Sequence, residues 1–315
     1  MTMNTNSSRG PARATAVRNG AVDLAVFEQG NPDGPTVVLV HGWPDTHRLW
    51  DHVVPLLADR FRVISYDTRG AGRSSVPTSV SDYRLELLAT DLLAVVDAVS
   101  PDEAVHVLAH DWGSLEAWEA VCSPGAVGRI ASFTSTSGWC FDHLGHWMRR
   151  TLRNPTPSGV GKVLAQFAAS FYAVLFHVPV VPEFVTGKVI APRWPRFLAL
   201  FDRMDPALAL PSATIARDAA NGIKRYRANT LDRLGRPRLR RTDVPVQLLV
   251  NTRDKAVLPF GFEETAHWAA DLRRTEVPSG HWSPLSHAPD VARHTADFVV
   301  DVISRSAADG PAAAV

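Results

Sequence analysis

The sequence predicts an α/β fold: a mostly parallel β-sheet covered by helices on both faces and interrupted once by a helical insertion. Three observations carry this. Short β-branched runs alternate with helical patterns along most of the 315 residues, as in a parallel sheet buried by crossover helices. The alternation stops between Gly138 and Val244, where prolines, aromatics and helical patches occur without a clear buried strand. Finally, one hydrophobic strand runs straight into a helix through a tight turn centred on Asp111.

The elements follow in order. Thr36–His41 is a strand whose unbroken apolar run reads as buried on both faces. Phe61–Tyr66 is a second. Leu85–Val99 has helical spacing, with Leu88, Leu92 and Val95 on one face and Ser81-Asp82 as caps. Val105–Ala109 is a third strand, followed by a helix over Ser114–Cys122. Ile130–Ser135, Val246–Asn251 and Arg273–Val277 complete the strands, and Val291–Ser304 is a closing amphipathic helix. The expected organisation is a polar, disordered tail over 1–20 and a core from 21–137 plus 245–305. A helical cap over 138–244 is inserted after the strand ending near Ser137, and a small-residue tail covers 306–315.

Composition removes several classes of function. Hydrophobic residues make up 45% and charged residues 21%, with a net charge of +1. This balance gives no electrostatic case for nucleic acid. The one basic cluster, Arg233–Arg241, reads as a solvated surface loop. No stretch reads as a secretory signal, and the uncharged run Val163–Pro182 is too broken by polar residues and prolines to span a membrane. It reads instead as an apolar insertion lining a pocket. The two cysteines, Cys122 and Cys140, lack metal-ligand spacing and suit reduced thiols in a cytoplasmic protein. Gly70-Ala-Gly72 lacks the third glycine of a dinucleotide motif, so no NAD(P), other cofactor or metal is expected.

The chemistry centres on Val107-Leu-Ala-His-Asp-Trp-Gly-Ser114. Small residues flank the turn because strand and helix nearly collide there, so the central side chain protrudes beside a helix N-terminus. Here that side chain is a carboxylate. An aspartate at this place is often only a helix cap. As a nucleophile it would displace a leaving group at sp³ carbon and form an ester. Water must then cleave the ester, which requires a general base and an oxyanion hole. His281 follows the last strand and is the base candidate; Asp254, three residues past Asn251, would orient it, with Asp142 as the alternative acid. The amides of Trp43 and Trp112 are the oxyanion donors, and their side chains would wall the pocket. His110 is expected to contact backbone.

His41-Gly-Trp-Pro44, Asp67-Thr-Arg-Gly-Ala-Gly-Arg-Ser74, His110-Asp-Trp-Gly113 and Gly280-His281 together resemble the epoxide hydrolases of the α/β-hydrolase fold. The resemblance covers nearly the whole chain apart from its tails. It implies two lid tyrosines that hydrogen-bond the epoxide oxygen, and the matching segments are Phe171-Tyr-Ala-Val-Leu-Phe-His177, with His where Gln is more usual, and Tyr226-Arg227. Tyr172 and Tyr226 are thereby the implied donors. Val178-Pro-Val-Val-Pro182 and Ala216-Arg-Asp-Ala-Ala220 are similar to the hydrolase half of bacterial fusion proteins that continue into a short-chain dehydrogenase. The expected substrate is a small hydrophobic, lipid-like epoxide. A haloalkane dehalogenase with the same nucleophile is the first alternative, and a non-catalytic ligand-binding relative the second.

Overall fold

The computed structural model describes residues 12–308. Eight strands form one sheet in the order β1-β2-β4-β3-β5-β6-β7-β8. They are β1 (Arg13–Asn19), β2 (Val22–Gly30), β3 (Thr36–Val40), β4 (Arg62–Tyr66), β5 (Val105–His110), β6 (Ile130–Thr136), β7 (Val246–Asn251) and β8 (Leu272–Val277). β2 runs antiparallel to both β1 and β4; from β4 to β8 every pairing is parallel.

Period-two alternation divides the central strands between two cores. Val38, Val40, Ile64, Val107 and Leu248 face α2 (Leu85–Val99) and α3 (Trp112–Val121). Val37, Leu39, Val63, Leu108 and Leu249 face α1 (Val54–Leu57) and α11 (Ala288–Ala308). Each such buried aliphatic side chain contributes about 1.5–3 kcal/mol of transfer free energy. Residues alternating on a doubly covered strand are buried whichever way they point, which is why these strands read as continuous apolar runs.

Between β6 and β7 the described chain forms α4 (Phe141–Arg153), α5 (Pro157–Ala169), α6 (Phe171–Leu175), α7 (Val181–Phe184), α8 (Trp194–Phe201) and α9 (Ile215–Gly235). A short π-helical stretch, Val185–Ile190, follows α7. After β8 comes α10 (Ser283–Ser286), which leads into α11.

Four expectations need correction. Residues 13–19, read as part of a disordered tail, form β1, whose side chains are largely exposed but whose backbone pairs with β2. Residues 306–308, read as the start of a second tail, extend α11. The remainder of both tails lies outside the described residues. The arginine run 233–241 is a solvated loop only in part: Arg236, Arg238 and Arg241 are exposed in the coil after α9, but its first arginine is not. Arg233 is 2% exposed and pairs with Glu119, Asp142 and Glu86, while Arg240 reaches Glu119. Ser81-Asp82 does not cap α2 either. They lie in a preceding 3-10 turn, and Asn229 of α9 accepts the Leu85 amide at 2.8 Å.

Candidate active site

The turn from β5 to α3 holds Asp111 at φ 51° and ψ −125°. This left-handed conformation is costly for a residue with a Cβ and persists only where its surroundings impose it. They do so here by crowding. A Cβ on Gly113 would lie 2.3 Å from the carbonyl oxygen of Val40, and one on Gly138 would lie 2.6 Å from that of Asp111. The Asp111 side chain makes no capping hydrogen bond to its own helix. It is therefore free for other work, and the helix-cap reading fails.

One carboxylate oxygen meets one of the two amides expected as oxyanion donors. The Trp43 amide donates to Asp111 Oδ1 at 2.7 Å. The Gly42 backbone packs against this pair so closely that a Cβ there would lie 2.3 Å from Oδ1 and 2.7 Å from the Trp112 nitrogen. The loop is held from behind by His41, whose Nε2 accepts the Thr68 amide at 2.9 Å and whose Nδ1 donates to Gly42 O at 2.8 Å. Burial lowers the His41 pKa to about 4, so the ring stays neutral in this role. The Asp67–Ser74 motif serves the same loop: Asp67 accepts the His47 amide at 2.9 Å and the Arg73 amide at 2.8 Å.

The other oxygen, Asp111 Oδ2, lies 3.5 Å from His281 Nε2. His281 Nδ1 is 2.9 Å from Asp254 Oδ2. Asp254 in turn accepts the Ser137 hydroxyl at 2.8 Å and the amides of Ala256 and Val257 at 2.8 and 2.9 Å. Burial alone would raise the Asp254 pKa, but the neighbouring His281 and these donors outweigh it and hold the carboxyl below its usual range. Burial would likewise lower His281, yet Asp254 and Asp111 outweigh it and push the imidazole well above its usual value. Asp142, the alternative acid, is instead committed to Arg233 at 3.0 Å and to the Arg238 amide at 2.8 Å. His110 bonds the His281 carbonyl at 3.0 Å, a backbone role as expected.

Tyr172 and Tyr226 line the same cavity as Asp111 and His281, with a volume of about 420 Å³ and walls that are otherwise almost wholly apolar. The phenol rings lie 5.8 Å apart in an edge-to-face arrangement. Burial, then the charge of Asp111, raises the Tyr172 pKa; burial, Tyr172 and Asp111 raise that of Tyr226, so both stay protonated donors. Trp43 Nε1 donates to Ala219 O at 2.9 Å, and the Trp112 ring packs edge-on against Tyr226 at 4.8 Å.

Asp202, at the C-terminal end of α8, has no counterpart among the sequence-derived candidates. Its two oxygens accept the backbone amides of His281 (2.5 Å) and Trp282 (2.8 Å). A Cβ on Gly280 would lie 2.1 Å from Asp202 Oδ1, so glycine is needed for this approach. A lone aspartate after a helix carries no signal in sequence that it will meet a loop 79 residues later. Where Asp111 acts by forming an ester and His281 by activating water, Asp202→Ala is expected to slow cleavage of the ester intermediate on the order of 100-fold, the cost of a base displaced by about 1 Å. Formation of that intermediate should change little. Stopped-flow kinetics separating the two steps check this; equal slowing of both would mean that Asp202 does not act through His281.

Among the described residues, no group of three or more His, Cys, Asp or Glu could hold a metal ion. Cys122 and Cys140 are free, and burial raises both thiols, Cys140 to about 12. No helix among the described residues is long and apolar enough to cross a membrane.

Comparison with known proteins agrees with this architecture. The mycobacterial protein named Probable oxidoreductase EphD, from Mycobacterium tuberculosis, is 46% identical over 282 residues, which are 88% of this chain and 48% of that protein. The chain thus spans about half the length of this relative. Epoxide hydrolase A of the same organism is 40% identical over 105 residues, 33% of this chain and 32% of that protein. The Bacillus megaterium epoxide hydrolase solved with an inhibitor superposes with a TM-score of 0.73 at 17% identity, covering 90% of this chain and 99% of that one. Residues 35–288 match the family described as alpha/beta hydrolase fold, and the chain belongs to that family.

Proposed function

We propose that the protein is an epoxide hydrolase that opens a hydrophobic epoxide to a vicinal diol through an aspartyl ester. Asp111 Oδ2 attacks an epoxide carbon, the carbon–oxygen bond breaks, and the departing oxygen takes a proton from Tyr172 or Tyr226. Binding both phenols to the epoxide oxygen stabilises charge that develops only on ring opening. His281 then removes a proton from water, and the hydroxide adds to the Asp111 carboxyl carbon. Charge collects on Oδ1, where the amides of Trp43 and Trp112 receive it. Collapse expels the diol with Oδ2, its alkoxide taking the proton from His281, and the tyrosinate is reprotonated from solvent.

The charge changes suit this order. Esterification removes the negative charge 3.5 Å from His281 Nε2. One of the two carboxylates that hold the imidazole protonated is then gone, so its pKa falls when a base is needed. The same event removes the Asp111 charge that raises both phenols.

The observation that carries the reading is a pair of buried, protonated phenols in the cavity of Asp111. A dehalogenase would use indole N–H donors for halide, and here that of Trp43 already serves Ala219 O. All triad positions are filled, which disfavours a non-catalytic relative. The test is a single turnover in heavy-oxygen water. The label should enter the Asp111 carboxylate and be absent from the first diol; label in that diol defeats the covalent scheme. Tyr172→Phe and Tyr226→Phe should each lower kcat/KM on an epoxide about 10²–10³-fold, the worth of one oxyanion donor. Halide release from haloalkanes that survives both changes would favour the dehalogenase. The mycobacterial relatives are about twice as long as this chain, and we infer that it corresponds to their hydrolase half.

A further inference from the structure

We propose that the outer surface of α5–α8 docks on an anionic lipid surface, so that a membrane-dissolved epoxide passes from the bilayer into the cavity. The proposal rests on the cavity being the substrate site, and it specifies where that substrate resides. Among the described residues, 13 of the 22 large apolar side chains exposed to solvent lie between Leu152 and Leu200. They include Phe167, Phe171, Val180 (74% exposed), Phe184 (61%) and Leu200 (82%). Monomeric surfaces rarely gather apolar side chains in this way unless something covers them.

Two further observations identify the cover. First, the apolar surface continues inward. Leu175, Val178, Val181 and Val185 are exposed to solvent and also line the cavity that holds Asp111. A ligand leaving hydrocarbon would meet apolar side chains all the way to the nucleophile. Second, the charge has one sign. Residues 138–244 carry 17 basic and 7 acidic side chains, a net of +10, against −9 for the remainder of the chain. Lys188, Arg193, Arg196 and Arg203 are exposed on this surface and have no ion-pair partner among the described residues. Of the three carboxylates of residues 163–205, Glu183 pairs with Arg227 at 2.5 Å, Asp202 is taken up by the His281 loop, and Asp205 accepts the Ala207 amide at 2.9 Å. Apolar side chains among unpaired cations match acyl chains beneath anionic headgroups. A second copy pairing through the same face would instead set like charges against each other.

The test uses flotation of the purified chain with vesicles of phosphatidylcholine, with and without phosphatidylglycerol. Binding is expected to the anionic vesicles and to weaken with added salt. Lys188→Gln with Arg196→Gln should lower the partition coefficient roughly 25-fold, about fivefold per basic side chain. Val180→Glu with Phe184→Glu should abolish flotation while hydrolysis of a water-soluble epoxide continues, which also shows that the variant is folded. Failure of the wild-type chain to float with either vesicle overturns the proposal. So does salt-insensitive binding unaffected by these variants, or self-association that Val180→Glu and Phe184→Glu abolish in the absence of vesicle binding. Turnover of the soluble epoxide is read separately, so loss of docking and loss of the proposed activity are distinguishable.

Discussion

Asp111→Asn is expected to lower epoxide turnover on the order of 10⁴-fold or more, the scale on which removal of a covalent nucleophile is felt. Substrate binding should be nearly unchanged, because the cavity wall is apolar and the amide is isosteric with the carboxylate. The physical reason is specific to the geometry. Asp111 Oδ2 faces His281, while Oδ1 is held by the Trp43 amide. An amide at this position has one oxygen and no negative charge, so it either fills the oxyanion hole or faces the electrophile without nucleophilic power. Steady-state assays and equilibrium binding of an epoxide analogue check this. Retention of more than a hundredth of the activity, without conversion of the asparagine back to aspartate by mass spectrometry, would remove Asp111 from the chemistry.

His281→Gln should separate the two half-reactions. Alkylation needs the carboxylate and the phenols, all still present, whereas cleavage of the ester needs the imidazole. One equivalent of epoxide should be consumed in a burst, and the protein should gain the mass of the substrate. Steady-state turnover should fall on the order of 10⁴-fold. The wild-type enzyme should show the corresponding pH signature. In the free protein His281 titrates well above its usual value because Asp254 and Asp111 both favour the cation. In the ester only Asp254 remains charged. Ester cleavage should therefore rise with pH through a midpoint lower than the titration of His281 in the free protein, measured by NMR. A midpoint equal to or higher than that titration would contradict the loss of the Asp111 charge. For stability the sign is opposite: the favourable pairing of His281 is fully present below its unfolded value and is lost as pH rises through its elevated folded one.

The parts of the molecule that were legible in sequence are those fixed by local constraints. β3, β5 and β7 are buried on both faces, so their composition alone announces them. The strand-to-helix turn was legible because close backbone approach leaves only small residues around Asp111, and the cavity brings Tyr172 and Tyr226 to the same side chain. β1 was hidden because an exposed edge strand is held by backbone pairing and needs no apolar side chains. Within the arginine run Arg233 was misread, because its burial depends on Glu86, Glu119 and Asp142, distant in sequence and individually unremarkable. Asp202 was missed because it recognises peptide groups, whose identity no sequence encodes.

That last contact constrains how such a molecule can be re-engineered. A chimera grafting another lid onto this core would replace α8 and with it the carboxylate that anchors the His281 loop. The transplanted lid would change which molecules are admitted and, without intending it, how well water is activated beneath them. Library design should therefore treat Asp202 and Gly280 as a single inherited unit, varying neither when selectivity is the goal.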